Sequence, residues 1–268
     1  MPDVYSQLTD LDVAAIEGLA QAMELRAADP LQQGFVDSYM SRVALPEAAR
    51  ILEVGCGTGA VSRRLAGRPG VGEVVGVDPL TPLLDRAREL AEGIDNISFR
   101  SGRGEQLPVE DSSFDAVVIH TVLSHVRDPG AVLGEARRAL VDGGWLVVFD
   151  GDYATFSFAL AENDPLEVCA AAFRSSHIND PWMMRRAMGL IEKAGFVELR
   201  LESHGLAQVA EPSYMLWVLG RGADALVSEG VIGVGLADAL REEARRRVAQ
   251  GRFFGQVSYL SVVGRTST

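Results

Sequence analysis

Leu52-Glu53-Val54-Gly55-Cys56-Gly57-Thr58-Gly59-Ala60 passes from an apolar, β-rich run through three glycines at alternate positions into a helix-forming run. Glycines let the backbone turn tightly and approach a ligand closely, and the N-terminus of the helix that follows offers unpaired N–H groups. Outward from this turn, short β-rich runs alternate with amphipathic helical stretches, which predicts a doubly wound, Rossmann-like α/β sheet. The strands read as residues 50–54, 73–77, 97–100, 116–119 and 144–149, and the helices between them as 60–66, 82–92 and 129–140. Asp128-Pro129 puts proline in a helix's first turn, where its missing N–H costs nothing.

On the far side, helical periodicity spans about residues 165–194 and stops at Gly195; residues 196–202 read as a sixth strand, 211–250 as helical and 257–263 as a last strand. On the near side, apolar residues at helical spacing between about residues 10 and 40, interrupted at Asp29-Pro30, predict two helices. The expected division is a helical cap over residues 1–45 and a main domain over 46–268, with helical insertions at about 155–190 and 211–250.

The chain has 268 residues, 47% of them apolar, enough for one large core or a core with a modest cap. Its 37 acidic residues against 25 Lys and Arg leave a net charge of −12, a field that repels nucleic acid and anionic membranes and suits a small neutral or cationic substrate. Cys56 and Cys169 lie far apart without a Cys-x-x-Cys pattern, which argues against a disulfide framework or a structural zinc and for a reducing compartment. The first twenty residues lack a basic region before an apolar block, and no apolar run approaches the roughly 20 residues that span a bilayer. A cytoplasmic protein is expected, without metal, membrane or nucleic-acid partner; its oligomeric state is unreadable.

The glycine turn admits two ligands. Gly55, Gly57 and Ala60 satisfy the dinucleotide fingerprint, with Asp78 where a ribose-binding acid is expected. Glu53, two residues before the first glycine, is a poor neighbour for a pyrophosphate. It suits S-adenosylmethionine, which has no phosphate and whose α-ammonium a carboxylate pairs with. Glu53 also fits a helix-dipole partner, and Asp78 an N-cap, either of which needs no ligand.

Five stretches together resemble the class I S-adenosylmethionine-dependent methyltransferases, in the branch similar to the ubiquinone and menaquinone biosynthesis methyltransferases (the type 11 methyltransferase domain). They are Leu-Glu-Val-Gly-Cys-Gly-Thr-Gly from Leu52, Val-Val-Gly-Val-Asp to Asp78, Glu-Gln-Leu-Pro-Val-Glu-Asp-Ser-Ser-Phe-Asp from Glu105, Ser-His-Val-Arg-Asp-Pro from Ser124, and Val-Asp-Gly-Gly-Trp to Trp145. The likeness covers about residues 48–152. It implies a seven-stranded sheet whose last strand is antiparallel, and S-adenosylhomocysteine as the spent cofactor. It also implies a cofactor site in which Glu53, Gly55, Cys56, Gly57, Thr58 and Gly59 line the methionine end and Asp78, with Pro79, holds the ribose. Leu80 would pack on the adenine, with Arg103, Gly104 and Glu105 near its edge and His120, Thr121 and Val122 along the cofactor. One residue departs from the pattern: the family usually has an acid after the glycine corresponding to Gly102, to accept from the adenine amino group, whereas Arg103 has donors only.

Methyl transfer is a direct displacement, so alignment dominates and a base is optional. His120, His125 and His177 are the candidate bases because histidine titrates near neutrality. Tyr5, Tyr39, Asp152, Tyr153 and Trp182 are candidate substrate contacts; the first two and Trp182 belong to a set of aromatic residues outside the sheet segments that equally well pack helices onto it. Two other readings stay open: a nicotinamide-dependent oxidoreductase, weakened by Glu53 and by the absence of a Tyr-x-x-x-Lys acid, and a methyltransferase fold used for binding or a different reaction.

Overall fold

The computed structural model describes residues 13–267. Helices α1 (Val13–Ala28) and α2 (Pro30–Met40) precede the first strand, and the Asp29-Pro30 break is a cap. The Asp29 carboxylate accepts from Leu31 N at 2.8 Å and Gln32 N at 3.4 Å, with Pro30 opening the helix. Next come β1 (Ala49–Val54), α3 (Ala60–Ala66), β2 (Val71–Asp78), α4 (Thr81–Leu90), β3 (Ile97–Ser101), β4 (Phe114–His120), α5 (Pro129–Ala139) and β5 (Leu140–Ser157). The remainder is α6 (Glu167–His177), α7 (Met183–Lys193), β6 (Phe196–Gln208), α8 (Ser213–Ser228), α9 (Val234–Ala249) and β7 (Gly255–Thr266).

Among the described residues the strands form one seven-stranded sheet in the order β3-β2-β1-β4-β5-β7-β6. β1 to β5 pair in parallel, and β7 runs antiparallel to both β5 and β6, as expected. Side-chain alternation along each strand feeds two apolar layers. In β1, Ile51 enters the layer holding α2, α6 and α8, while Leu52 and Val54 enter the layer holding α5 and α7. Strand order reverses between β1 and β4, and the carboxyl ends there form the crevice where ligands of such sheets bind.

Three elements differ from the sequence reading. β5 continues to Ser157 instead of ending at 149, because β7 goes on pairing with it through Gly151↔Tyr259 and Asp152↔Ser258; Asp152 and Tyr153 therefore lie within the strand, not beyond it. The helical stretch 165–194 is two helices, broken at residues 178–182, where Pro181 stands and Asp180 N donates to Ser124 O at 2.9 Å. Residues 211–250 also divide, into α8 and α9. No helix among the described residues is long and apolar enough to cross a membrane.

Candidate functional site

The glycine turn between β1 and α3 has the geometry its composition predicts. Gly55, Gly57 and Gly59 have φ of 70°, 53° and 73°. A Cβ at these positions would lie 2.4 Å from Val122 Cγ2, 2.5 Å from Met23 Sδ and 2.7 Å from Phe99 Cζ respectively, so both backbone angle and space require glycine. Gly55 N and Cys56 N donate to Val77 O at 2.7 and 3.1 Å, which pins the turn to the end of β2. Cys56 is buried, and burial raises its thiol well above the usual range, as befits a packed side chain.

Two carboxyl groups face this turn. Glu53 is only 2% exposed and accepts a hydrogen bond from the Ser62 hydroxyl. Burial, reinforced by the nearby Asp78 carboxylate, pushes it up to about 8 against the pull of Ser62. Asp78 accepts from Gly57 N through Oδ2 and from Leu80 N through Oδ1, both at 2.9 Å, and burial raises it while these N–H groups oppose the rise. Leu80, not Asp78, is the residue before the first turn of α4, so the Asp78 carboxylate shapes the loop rather than capping the helix. Each of its oxygens keeps a lone pair for another donor.

Above the turn lies a cavity of about 360 Å³. Every residue that the family resemblance put at the cofactor lines it except Gly59, which packs behind the turn against Phe99. The sequence reading missed the roof: Met23 and Arg26 from α1, and Gln32, Gln33 and Val36 from α2. Glu24 ties α1 down by accepting from Thr58 Oγ1 at 2.5 Å and from Arg63 Nη2 at 2.9 and 3.1 Å, and Arg26 Nη2 donates to Thr121 Oγ1 at 2.9 Å. Nothing in the local sequence links residues 34 and 95 positions apart, so this clasp was invisible there. Thr121 has a positive φ of 56°, and its N–H donates to Phe149 O at 2.6 Å, fixing the chain where it leaves β4. Arg103 sits at the rim, its side chain 68% exposed and 3.5 Å from Glu105.

The three histidines occupy different places. His120 lines the cavity, stacks on Phe149 at 4.4 Å and shares a hydrogen bond between Nδ1 and Tyr39 Oη at 3.1 Å. Burial, aided by the Arg26 charge, holds it well below the usual imidazole range, so it is neutral. His125 lines both this cavity and a second one of about 40 Å³. Burial raises the Asp150 carboxyl group, with the His125 charge opposing the rise, and the group anchors the loop by accepting from Ser124 N and Oγ at 3.0 Å; the sequence reading did not single it out. His177 lines the second cavity, stacked on Phe173 at 4.8 Å with Nδ1 2.7 Å from Ser176 Oγ.

The second cavity is walled by Tyr153, Phe173, Tyr214 and Trp217, and shares Met23, Arg26 and His125 with the first. Of the candidate substrate contacts, Tyr153 alone lines it; Tyr5 lies outside the described residues. Tyr39 is fully buried behind His120 and lines neither cavity. Asp152 also lines neither, its carboxylate held by Arg185 Nε at 2.9 and 3.0 Å. Trp182 is 50% exposed, with the Arg185 guanidinium 4.4 Å over its ring. Phe156, Phe158, Met183 and Met184, from the same aromatic and sulfur set, are core residues.

The methyltransferase domain family matches residues 52–148. An uncharacterized methyltransferase of Schizosaccharomyces pombe is 40% identical over 111 residues, which are 38% of this chain and 40% of that protein; the match thus spans less than half of the relative. Demethylmenaquinone methyltransferase of Staphylococcus aureus is 27% identical over 179 residues, 61% of this chain and 74% of its own. Among solved structures, phosphoethanolamine N-methyltransferase 2 of Haemonchus contortus, in complex with S-adenosyl-L-methionine, has the same fold with a TM-score of 0.60 at 16% identity, over 97% of this chain and 58% of that one.

Proposed function

We propose, the chain being a member of the class I S-adenosylmethionine-dependent methyltransferases, that it transfers the cofactor's methyl group by direct displacement to a small-molecule acceptor reached through the second cavity. The observation that carries this is Glu53: burial pushes this carboxyl group beside the glycine turn up to about 8, Ser62 and the Arg26 charge oppose the rise only in part, and an α-ammonium in the cavity it lines would complete the compensation. The bound cofactor supplies an electrophilic methyl carbon on a sulfonium. Glu53 would pair with its ammonium, and Asp78 would accept the ribose hydroxyls on its two remaining lone pairs. Leu80 and Arg103, which line the same cavity, would pack against the adenine and lie at its edge.

Helices α1 and α2, the described part of the expected cap, act in this reading as the roof over the main domain. Met23, Arg26 and His125 form the partition between the two cavities, and the flexible thioether of Met23 is the part that yields to an acceptor. The enclosed arrangement excludes water and aligns the nucleophile with the methyl carbon, an effect of about 7 to 11 kcal/mol when orientation is complete. Where the acceptor must lose a proton, His125 is the fitting base, because it borders both cavities.

Calorimetric titration with S-adenosylmethionine, S-adenosylhomocysteine and NADH tests the reading. Micromolar binding of the two adenosyl ligands, lost in Glu53→Ala and absent for NADH, supports it; no adenosyl binding, or NADH binding alone, overturns it.

A further inference from the structure

Strand β5 stops pairing with β7 after Asp152↔Ser258, and the pairing resumes only at Ser157↔Gln256. Thr155 stitches this bulge together: its hydroxyl donates to Asp152 O at 2.7 Å and accepts from Ser258 N at 2.8 Å. A bulge re-aims the side chains within it, and here it brings Tyr153 to the wall of the second cavity. The Tyr153 ring folds back over the strand, for a Cβ on Gly151 would lie 2.7 to 2.8 Å from its Cε1, Cζ and Cε2. A glycine inside the strand is what leaves room for it. The rings of His125 and Tyr259 meet it edge-on at 6.1 and 6.5 Å, so its position is fixed by packing.

Tyr153 is 2% exposed, and its hydroxyl makes no hydrogen bond among the described residues. Unlike the Tyr259 hydroxyl, it is not sealed from solvent-sized probes, so it keeps contact with the free space of the cavity. Burial raises this phenol well above its ordinary value and the Asp150 carboxylate raises it further, so it stays protonated and has a hydrogen to give. Buried polar groups are almost always hydrogen-bonded, and one held rigidly on a cavity wall without a protein partner calls for a ligand's lone pair. Asp150 and Arg26 act on this hydroxyl with opposite sign, which suits an uncharged partner. Phe173 and Trp217, on the same wall, suit a flat apolar body around it. We propose that Tyr153 recognises the methyl acceptor, donating its phenolic hydrogen to an uncharged oxygen or nitrogen on a flat apolar molecule whose head enters the second cavity. This rests on reading the larger cavity as the cofactor site.

The test uses the protein saturated with S-adenosylhomocysteine and two probes of one shape, acetophenone and α-methylstyrene, in which a methylene replaces the carbonyl oxygen. Their affinities are read by ligand-observed magnetic resonance. The wild type should bind acetophenone at least about tenfold more tightly, the effect of one hydrogen bond from a buried donor that is otherwise left unmade. Tyr153→Phe should erase that preference by weakening acetophenone alone. Its α-methylstyrene affinity, S-adenosylhomocysteine affinity and melting temperature should match the wild type, because the hydroxyl holds nothing within the protein. A wild type that binds neither probe, or that does not distinguish them because a water satisfies the hydroxyl, would overturn the inference and leave the cofactor site standing. So would a variant that keeps the preference, or one that loses it together with melting temperature and S-adenosylhomocysteine affinity, which would make Tyr153 structural. Failure of the wild type to bind S-adenosylhomocysteine would overturn both readings.

Discussion

The Ser62 hydroxyl, on the first turns of α3, donates to the Glu53 carboxylate at the end of β1, and both side chains are buried. One hydrogen bond offsets little of the cost of a buried negative charge, so Glu53 remains protonated near neutrality until a cation joins it.

A stability window follows. Glu53 rises from 4.5 to about 8 on folding, so the folded, ligand-free protein holds a proton that the unfolded chain gives up. Stability associated with this group is fully present below pH 4.5 and is lost as pH rises toward about 8. Melting curves of wild type and Glu53→Gln should therefore diverge across that window, with the variant ahead at alkaline pH. Conversely, S-adenosylhomocysteine should release about one proton from Glu53 on binding near pH 7. Calorimetry in two buffers of different ionisation enthalpy reads this directly, and equal heats would refute it.

Gly57→Ala should damage the site twice over. The added Cβ meets Met23 Sδ at 2.5 Å and forces alanine to a φ of 53°, a conformation costing about 1 to 2 kcal/mol. Adenosyl-ligand affinity should fall at least tenfold, and adding Met23→Ala should restore part of it by removing the clash but not the strain. No recovery in the double variant would place the whole effect in the backbone.

Tyr39→Phe deletes the partner of His120 Nδ1 in a buried setting. The expected loss is about 1 to 3 kcal/mol of stability, measured by urea denaturation. Because Tyr39 lines neither cavity, S-adenosylhomocysteine affinity should change by less than about threefold, that is, by well under 1 kcal/mol. A larger change would make Tyr39 part of the binding machinery.

Arg103→Asp should leave the melting temperature unchanged, since the side chain is largely exposed and its ion pair with Glu105 is long. Cofactor affinity should hold or improve, because aspartate adds an acceptor for an adenine amino group. A pronounced loss on titration would show that the guanidinium itself touches the ligand.

The sequence alone determined the sheet and the glycine turn at its switch point. Gly55, Gly57 and Gly59 are legible because a positive φ and close contact are local demands that only glycine meets. Glu53 and Asp78 are legible because strand ends in a doubly wound sheet converge on one edge. Tertiary structure decided the roof, the second cavity and the partners of the histidines. Met23, Arg26 and Gln32 sit on helices whose periodicity says only that one face is buried, not what it covers. Tyr259 meets Tyr153 through strand register, and Asp150 meets Ser124 across a loop. The single helical stretch read over 165–194 failed for the same reason: its break at Pro181 is held by Ser124, a residue more than fifty positions away. Backbone conformation is written in neighbouring residues, whereas which buried groups meet depends on the packing of distant elements, and the walls of the second cavity are made almost entirely of such meetings.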